Sequence, residues 1–323
     1  MALGPVSRLS PDVSLRHGRR ALEATIQGRT GYRFVASRLL FVPTMIRHYR
    51  CVGPNHLTGT SRRAPVAVIL AAGRGSRLGD LTDDRPKCLA TVGGRSLLEH
   101  QLEAIEQAGI KKVVIVTGYR ARDVRRVAGG RARYVHNPVW GDTNSMYSLW
   151  CARYELGDDA LIFNCDVLFH PEVIDRILAA GRNHFAIDRY GGLGEEEMHV
   201  ALDGTRLTAM SKELPTAEVA GENVGIVRLS GRALTAVLET AGELISAGDL
   251  KVWMASAIDR VAADYDVHAV DISDLPWVEI DFRRDLEFAH GWVWPSIRAL
   301  TQPIDIQFLE PAANGLALVE ATA

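Results

Sequence analysis

Arg77, Lys87 and Asp166 sit where charged side chains can do phosphate chemistry. The apolar run from Val66 to Ala71 reads as a buried strand. It leads directly into a loop with Gly73, Arg74, Gly75, Ser76 and Arg77, and Lys87 follows in a Pro-Lys pair. Glycines let backbone N–H groups approach oxygens closely, and arginine matches their planar geometry. The stretch Leu70, Ala71, Ala72, Gly73, Arg74, Gly75, Ser76 and Arg77, with Lys87, is therefore suited to holding a triphosphate. Two commoner phosphate loops do not fit. The dinucleotide fingerprint needs glycine where Leu78 stands, and no Gly-Lys-Ser/Thr tripeptide of the Walker type follows.

Asp166 lies at the end of a second apolar run, Leu161 to Phe163. A carboxylate there is a hard oxygen ligand suited to Mg²⁺ beside phosphates. It would equally form an Asx turn or cap the helix that Pro171 opens. Asp281 has two readings as well, as a site carboxylate or as N-cap of a helix from Arg284 to His290. Glu279 alternates onto the same side as Asp281 and would support a metal there. Asn144 and Ser145 carry groups that suit a base edge or a phosphate, and Asn144 also suits a helix cap. Trp140, Tyr147, Trp150, Trp253 and Trp277 are the aromatics from which a cage for a quaternary ammonium would be built. The helical spacing of Tyr147 and Trp150 also fits plain core packing.

The elements that must position these residues alternate along the chain. Strands are expected at 66–71, 112–117, 132–136 and 160–164. Helices are expected at 97–108, 121–128, 145–154 and 171–180, with Ser96 capping the first. This pattern predicts an α/β fold with a doubly wound, mostly parallel, Rossmann-like sheet covered by helices on both faces. Beyond Gly181 short strands at 185–188, 198–202, 207–210 and 223–229 predict a small mixed or antiparallel subregion. Helices at 232–247 and 250–263 and a strand at 267–271 follow. In open α/β sheets ligands bind at the carboxyl ends of strands, where both the glycine loop and Asp166 fall.

The string Leu70-Ala-Ala-Gly-Arg-Gly-Ser-Arg-Leu78 with Pro86-Lys87 resembles the signature of the nucleotidyltransferases that make sugar nucleotides and CDP-alcohols. The segments from His136 to Trp150 and from Pro276 to Phe282 resemble bacterial CTP:phosphocholine cytidylyltransferases and their phosphonate- and inositol-phosphate-using relatives. The resemblance runs from about Ala64 to Ala289. It implies Mg²⁺-dependent transfer of CMP from CTP to a small phosphorylated or phosphonate acceptor, with release of pyrophosphate. Phosphocholine-like and 2-aminoethylphosphonate-like acceptors are the implied types. It further implies that Asp166 and Asp281 hold the metal, that Lys212 faces the reacting phosphates, and that Glu222 and Trp277 with Glu279 and Lys212 meet the acceptor. The chain departs from that pattern at Met254 and Ala255, where relatives often place an acid after the aromatic. Two alternatives stay open: a sugar-1-phosphate nucleotidyltransferase making an NDP-sugar, and a non-catalytic nucleotide-binding regulatory protein.

The 323 residues allow one large domain with extensions. We expect a basic N-terminal extension at 1–64, a catalytic domain at 65–290 and a C-terminal tail at 291–323. Residues 1–64 hold eleven arginines and two acids, whereas the rest carries a formal excess of 11 negative charges. Such an arm would contact an anionic membrane surface, pack on the acidic body, support a homo-oligomer or stay a mostly flexible extension with one short helix. No nucleic-acid-binding module accompanies it. The four cysteines form no C-x-x-C pair, and the N-terminus lacks a signal-peptide apolar core, so a cytoplasmic setting is expected.

Overall fold

The computed structural model describes residues 64–190, 194 and 197–301. Residues 1–63 of the extension expected at 1–64, and residues 302–323 of the tail expected at 291–323, lie outside the described residues. Strand β1 (Val66–Ala71) is buried at every position. A hairpin of β2 (Thr91–Val92) and β3 (Arg95–Ser96) leads into helix α1 (Leu97–Gln107). Ser96 caps α1 reciprocally. The Glu99 N–H donates to Ser96 Oγ, and the Ser96 N–H donates back to Glu99 Oε2 at 2.8 Å. Then come β4 (Val113–Thr117), α2 (Ala121–Ala128), β5 (Arg133–His136) and α3 (Ser145–Cys151). Next are β6 (Asp159–Asn164), β7 (Val167–Phe169), α4 (Glu172–Ala180), β8 (His184–Asp188), β9 (His199–Asp203), β10 (Arg206–Ser211) and β11 (Gly221–Ser230). The described chain closes with α5 (Gly231–Ser246), α6 (Met254–Val261), β12 (His268–Asp271), β13 (Trp277–Glu279), α7 (Arg283–Phe288) and α8 (Trp294–Thr301).

One nine-stranded sheet runs β5-β4-β1-β6-β11-β8-β12-β10-β9 among the described residues. β5, β4, β1 and β6 are mutually parallel. β11 runs antiparallel to both β6 and β8. Antiparallel pairing is therefore half of the same sheet, not a small annex to a mostly parallel one. The reason for the difference is visible in β11. Nine of its ten residues are buried, so its apolar run carries no alternation that would distinguish strand direction.

Side chains of β1 alternate between two cores. Val66, Val68 and Leu70 face α3, α5 and α6, while Ala67, Ile69 and Ala71 face α1, α2 and α4. A third apolar cluster joins Leu78, Val92, Leu97, Leu168 and Ile280 to Val293 and Ile297. Packing thus continues past residue 290 into α8, so the expected boundary there cuts through a packed layer. Among the described residues no helix is long and apolar enough to cross a membrane.

Candidate active site

The glycine loop leaves β1 at the carboxyl end of the parallel block. Gly75 adopts φ 78° and ψ 47°, a left-handed conformation that glycine takes without strain. A Cβ on Gly75 would collide with the Lys87 side chain. The loop is tied down by its backbone. Lys87 N donates to Arg74 O at 3.0 Å, and Tyr119 N donates to Ala72 O at 2.9 Å. Thr82 Oγ1 donates to Gly75 O at 3.2 Å. Arg74 itself turns outward to Asp83, at 2.6 Å.

Asp166 lies in the turn between β6 and β7. β7 pairs antiparallel with β13, Val167 opposite Glu279, and Ile280 N donates to Asp166 O at 3.0 Å. This small ladder carries Asp281 back to Asp166. Lys87 Nζ donates to Asp166 Oδ2 at 2.8 Å and also to Asp281 Oδ1. Arg77 Nη1 donates to Asp281 Oδ2 at 3.1 Å. Asp166, Glu279 and Asp281 each offer an oxygen within 4.8 Å of the others. Asp281 does not cap the following helix. Phe282 occupies that position, and Asp285 Oδ2 accepts the N–H groups of Asp281 and Phe282.

The electrostatics are those of a cation trap. Burial works against the Lys87 charge, but Asp166, Asp281 and Glu279 outweigh it and hold the ammonium above its ordinary value. Burial opposes ionisation of Asp281 too, yet Lys87 and then Arg77 keep its carboxyl below the usual range. Burial and then Asp166 push Glu279 up to about 8. Asp166 Oδ1 is buried and accepts no hydrogen bond. An orphaned carboxylate oxygen beside two further carboxylates fits a hard divalent cation.

A cleft of about 250 Å³ opens over this cluster. Of the expected residues, Leu70, Ala72, Gly73, Gly75, Arg77, Lys87, Asn144, Ser145, Asp166, Lys212, Glu279 and Asp281 line it. Asn144 Oδ1 accepts the Ser145 N–H at 2.8 Å, so it does cap α3. Ser145 Oγ accepts the Met254 N–H at 2.9 Å, tying α3 to α6. Lys212 Nζ sits 5.1 Å from the Trp253 ring centre. Ala71, Arg74, Ser76, Glu222 and Trp277 do not line the cleft. Trp277 Nε1 instead donates to Asp188 Oδ2 at 2.9 Å. Of the aromatics weighed, Trp140 and Trp253 reach the cleft, whereas Trp150 packs on the core with the Tyr147 ring 6.1 Å from its own, centre to centre.

Sequence reasoning missed Gln101. It is buried, and its Nε2 donates to Asn164 O at 2.8 Å and Val167 O at 2.9 Å, clamping both sides of the Asp166 turn. Its place on the apolar face of α1 was the available signal. Asn164, the last residue of β6, and Asn223, within β11, also line the cleft and were missed because each reads as part of an apolar strand.

Glycine turn, convergent carboxylates and mixed sheet define a nucleotide-handling α/β domain. Residues 67–222 match the MobA-like NTP transferase domain, so this stretch of the chain is a domain of the nucleotidyltransferase family. It is 32% identical over 275 residues to CMP-5'-(3-aminopropyl)phosphonate synthase of Streptomyces rubellomurinus, covering 74% of this chain and 43% of that protein. It is 32% identical over 247 residues to the bifunctional IPC transferase and DIPP synthase of Rubrobacter xylanophilus, covering 72% of this chain and 54% of the relative. The chain thus spans about half the length of these curated relatives. The solved structure of a CTP:phosphocholine cytidylyltransferase from Streptococcus pneumoniae shares the fold, with TM-score 0.58 and 21% identity over 69% of this chain and 96% of that one.

Proposed function

We propose that this chain is a cytidylyltransferase that moves CMP from CTP to a small phosphorylated or phosphonate acceptor and releases pyrophosphate. The observation that carries this reading is the meeting of Asp166, Glu279 and Asp281 around Lys87 directly beneath the glycine loop. Similarity to a CMP-phosphonate synthase supports the choice of nucleotide and acceptor class.

An acceptor oxygen, already ionised at neutral pH, attacks the α-phosphorus in line. A new P–O bond forms, the bond to the β-phosphate oxygen breaks, and pyrophosphate departs with that electron pair. No protein nucleophile or general base is needed. The glycine loop presents backbone N–H groups to the triphosphate. Arg77 and Lys87 offset the charge on it and on the departing pyrophosphate. Asp166 and Asp281, with Glu279, would hold Mg²⁺, which when bound would neutralise the α-phosphate and polarise its phosphorus. Lys87, now shared by two of these carboxylates, would then be freed to turn toward phosphate oxygens. Asn144 and Ser145, which line the cleft, would meet a cytosine edge or a phosphate. Together these groups bring two anions within bonding distance, which bare repulsion would prevent.

The test is pyrophosphate release by the purified chain with CTP, Mg²⁺ and a panel of acceptors. Turnover with CTP and none without Mg²⁺ is expected. Silence with CTP but turnover with UTP or dTTP and a sugar 1-phosphate would replace this reading with NDP-sugar synthesis.

A further inference from the structure

A second cavity, sharing no lining residue with the active-site cleft, opens between α1, β7 and α8. Its volume of about 590 Å³ falls within the usual range for small-molecule pockets, roughly 300–1,000 Å³. The floor is apolar: Leu168, Phe169 and Ile297 are all buried. One wall is aromatic, with the Trp294 and His100 ring centres 4.5 Å apart. Gly93, at φ 59° in the turn between β2 and β3, makes room for the indole, and a Cβ there would overlap Trp294 Nε1. His100 Nε2 donates to Val92 O at 2.9 Å, and burial holds the ring's pKa below its ordinary value, so this wall is neutral. Charge stands at the rim. Arg95 is paired with Glu103, whereas Arg298 meets no carboxylate among the described residues. Two guanidiniums and one carboxylate leave the lining with a formal charge of +1.

An apolar floor with a flat aromatic wall favours an aryl or alkyl body, and the unpaired guanidinium at its edge favours one anionic head. A small inorganic anion would leave the floor wet, and a neutral hydrocarbon would leave Arg298 without a counter-charge. The cavity also abuts the turn that holds Asp166. β7 begins one residue after Asp166, and its Leu168 and Phe169 line the cavity. From α1, His100, Glu103 and Ala104 line it, while their neighbour Gln101 donates to Asn164 O and Val167 O across that turn. An opening that parts α1 from β7 therefore breaks the Gln101 clamp and dismantles the cavity in one motion. We propose that this cavity is a second ligand site, for an amphipathic monoanion with an aryl or alkyl body and a carboxylate or sulfonate head, and that its occupant stiffens the Asp166 turn. The site stands whatever nucleotide and acceptor the cleft takes.

Calorimetry on the full chain would compare naphthalene-2-sulfonate with neutral 2-naphthol and with sulfate. Saturable one-to-one binding of the sulfonate, tighter than either control, is expected. Arg298→Gln removes the partner of the head group, and Gln107→Glu sets a like charge on the rim. Both side chains are exposed, so the fold should stand. Each substitution should weaken sulfonate binding by about fivefold and leave naphthol unchanged. Absence of saturable binding, equal affinity for sulfonate and naphthol, or binding indifferent to both substitutions overturns the site. Hydrogen exchange then reads the turn. The Ile280 N–H, held by Asp166 O at 3.0 Å, should exchange about tenfold more slowly with naphthalene-2-sulfonate present at about ten times its Kd. An unchanged rate overturns the coupling to Asp166. Failure of CTP-dependent pyrophosphate release would touch neither result.

Discussion

Two partly buried ion clusters stand at opposite ends of β6, and they are built on opposite rules. At the start of the strand, Arg228 reaches Asp159 with two hydrogen bonds of 3.0 and 2.7 Å. The same guanidinium donates to Gly181 O at 2.9 Å and Leu178 O at 3.3 Å. One cation meets one carboxylate and two carbonyls, so charge and donors are both satisfied. Beyond the far end, Lys87 is surrounded by Asp166, Asp281 and Glu279, and Asp166 Oδ1 has no partner. A saturated pair holds strands and loops in place, whereas an unsaturated one retains affinity for a further cation.

Substitutions should separate the two ends. The largest effect is expected from Asp166→Asn, which removes a charge from the proposed metal site with little change in shape. It should lower kcat for pyrophosphate release by about 10³-fold or more with a melting temperature near the parent's. A variant that kept a tenth of the parent's rate would remove Asp166 from the proposed site. Arg228→Met should do the reverse, leaving kcat nearly intact but costing about 3–5 kcal/mol in urea unfolding, because Asp159 would stay buried and unpaired. A loss of activity without a loss of stability would contradict its structural role.

Lys87→Met sharpens the contrast. It should lower kcat by about 10²-fold and leave Asp166 and Asp281 facing one another. The variant should melt lower than the parent without Mg²⁺ and gain more from added Mg²⁺, as thermal scans with and without the ion would reveal. Gly75→Ala should cost about 1–3 kcal/mol, since the left-handed φ and the Lys87 side chain both resist a Cβ. No change in stability would mean that the loop relaxes easily.

A pH slope is also expected from Glu222, buried beside Glu197, Glu279 and Asp188. Its folded value is raised from 4.5 to about 9, so its contribution to stability is fully present below 4.5 and is lost as pH rises toward 9. Melting temperature measured from pH 5 to 9 should therefore decline more gently in Glu222→Gln. Parallel curves for the two proteins would show that Glu222 titrates normally.

Most of the parallel half was legible in the chain. β1, α2 and the capped start of α1 coincide with expectation because local signals agree there: apolar runs, Ser96 with Glu99, and helical spacing. The insertion of β11 between β6 and β8 was not legible, since a strand buried on both faces reads the same in either direction. The candidate site divides in the same way. Gly73, Gly75, Arg77 and Lys87 share one contiguous stretch and declare themselves by type and spacing. Gln101 reads as an ordinary helix residue until its amide is seen gripping the turn around Asp166.

Residue order alone thus specified a strand feeding a glycine turn, two cations beside it and an acid at another strand's end, because each depends on near neighbours and on backbone preferences. Only the folded chain decided that β13 pairs with β7, which brings Asp281 and Glu279 to Asp166. The same holds for the gathering of Glu222, Asp188 and His199 on one face. Such meetings join segments far apart along the chain. They follow from which strands bury against which, a choice that no short window of sequence contains.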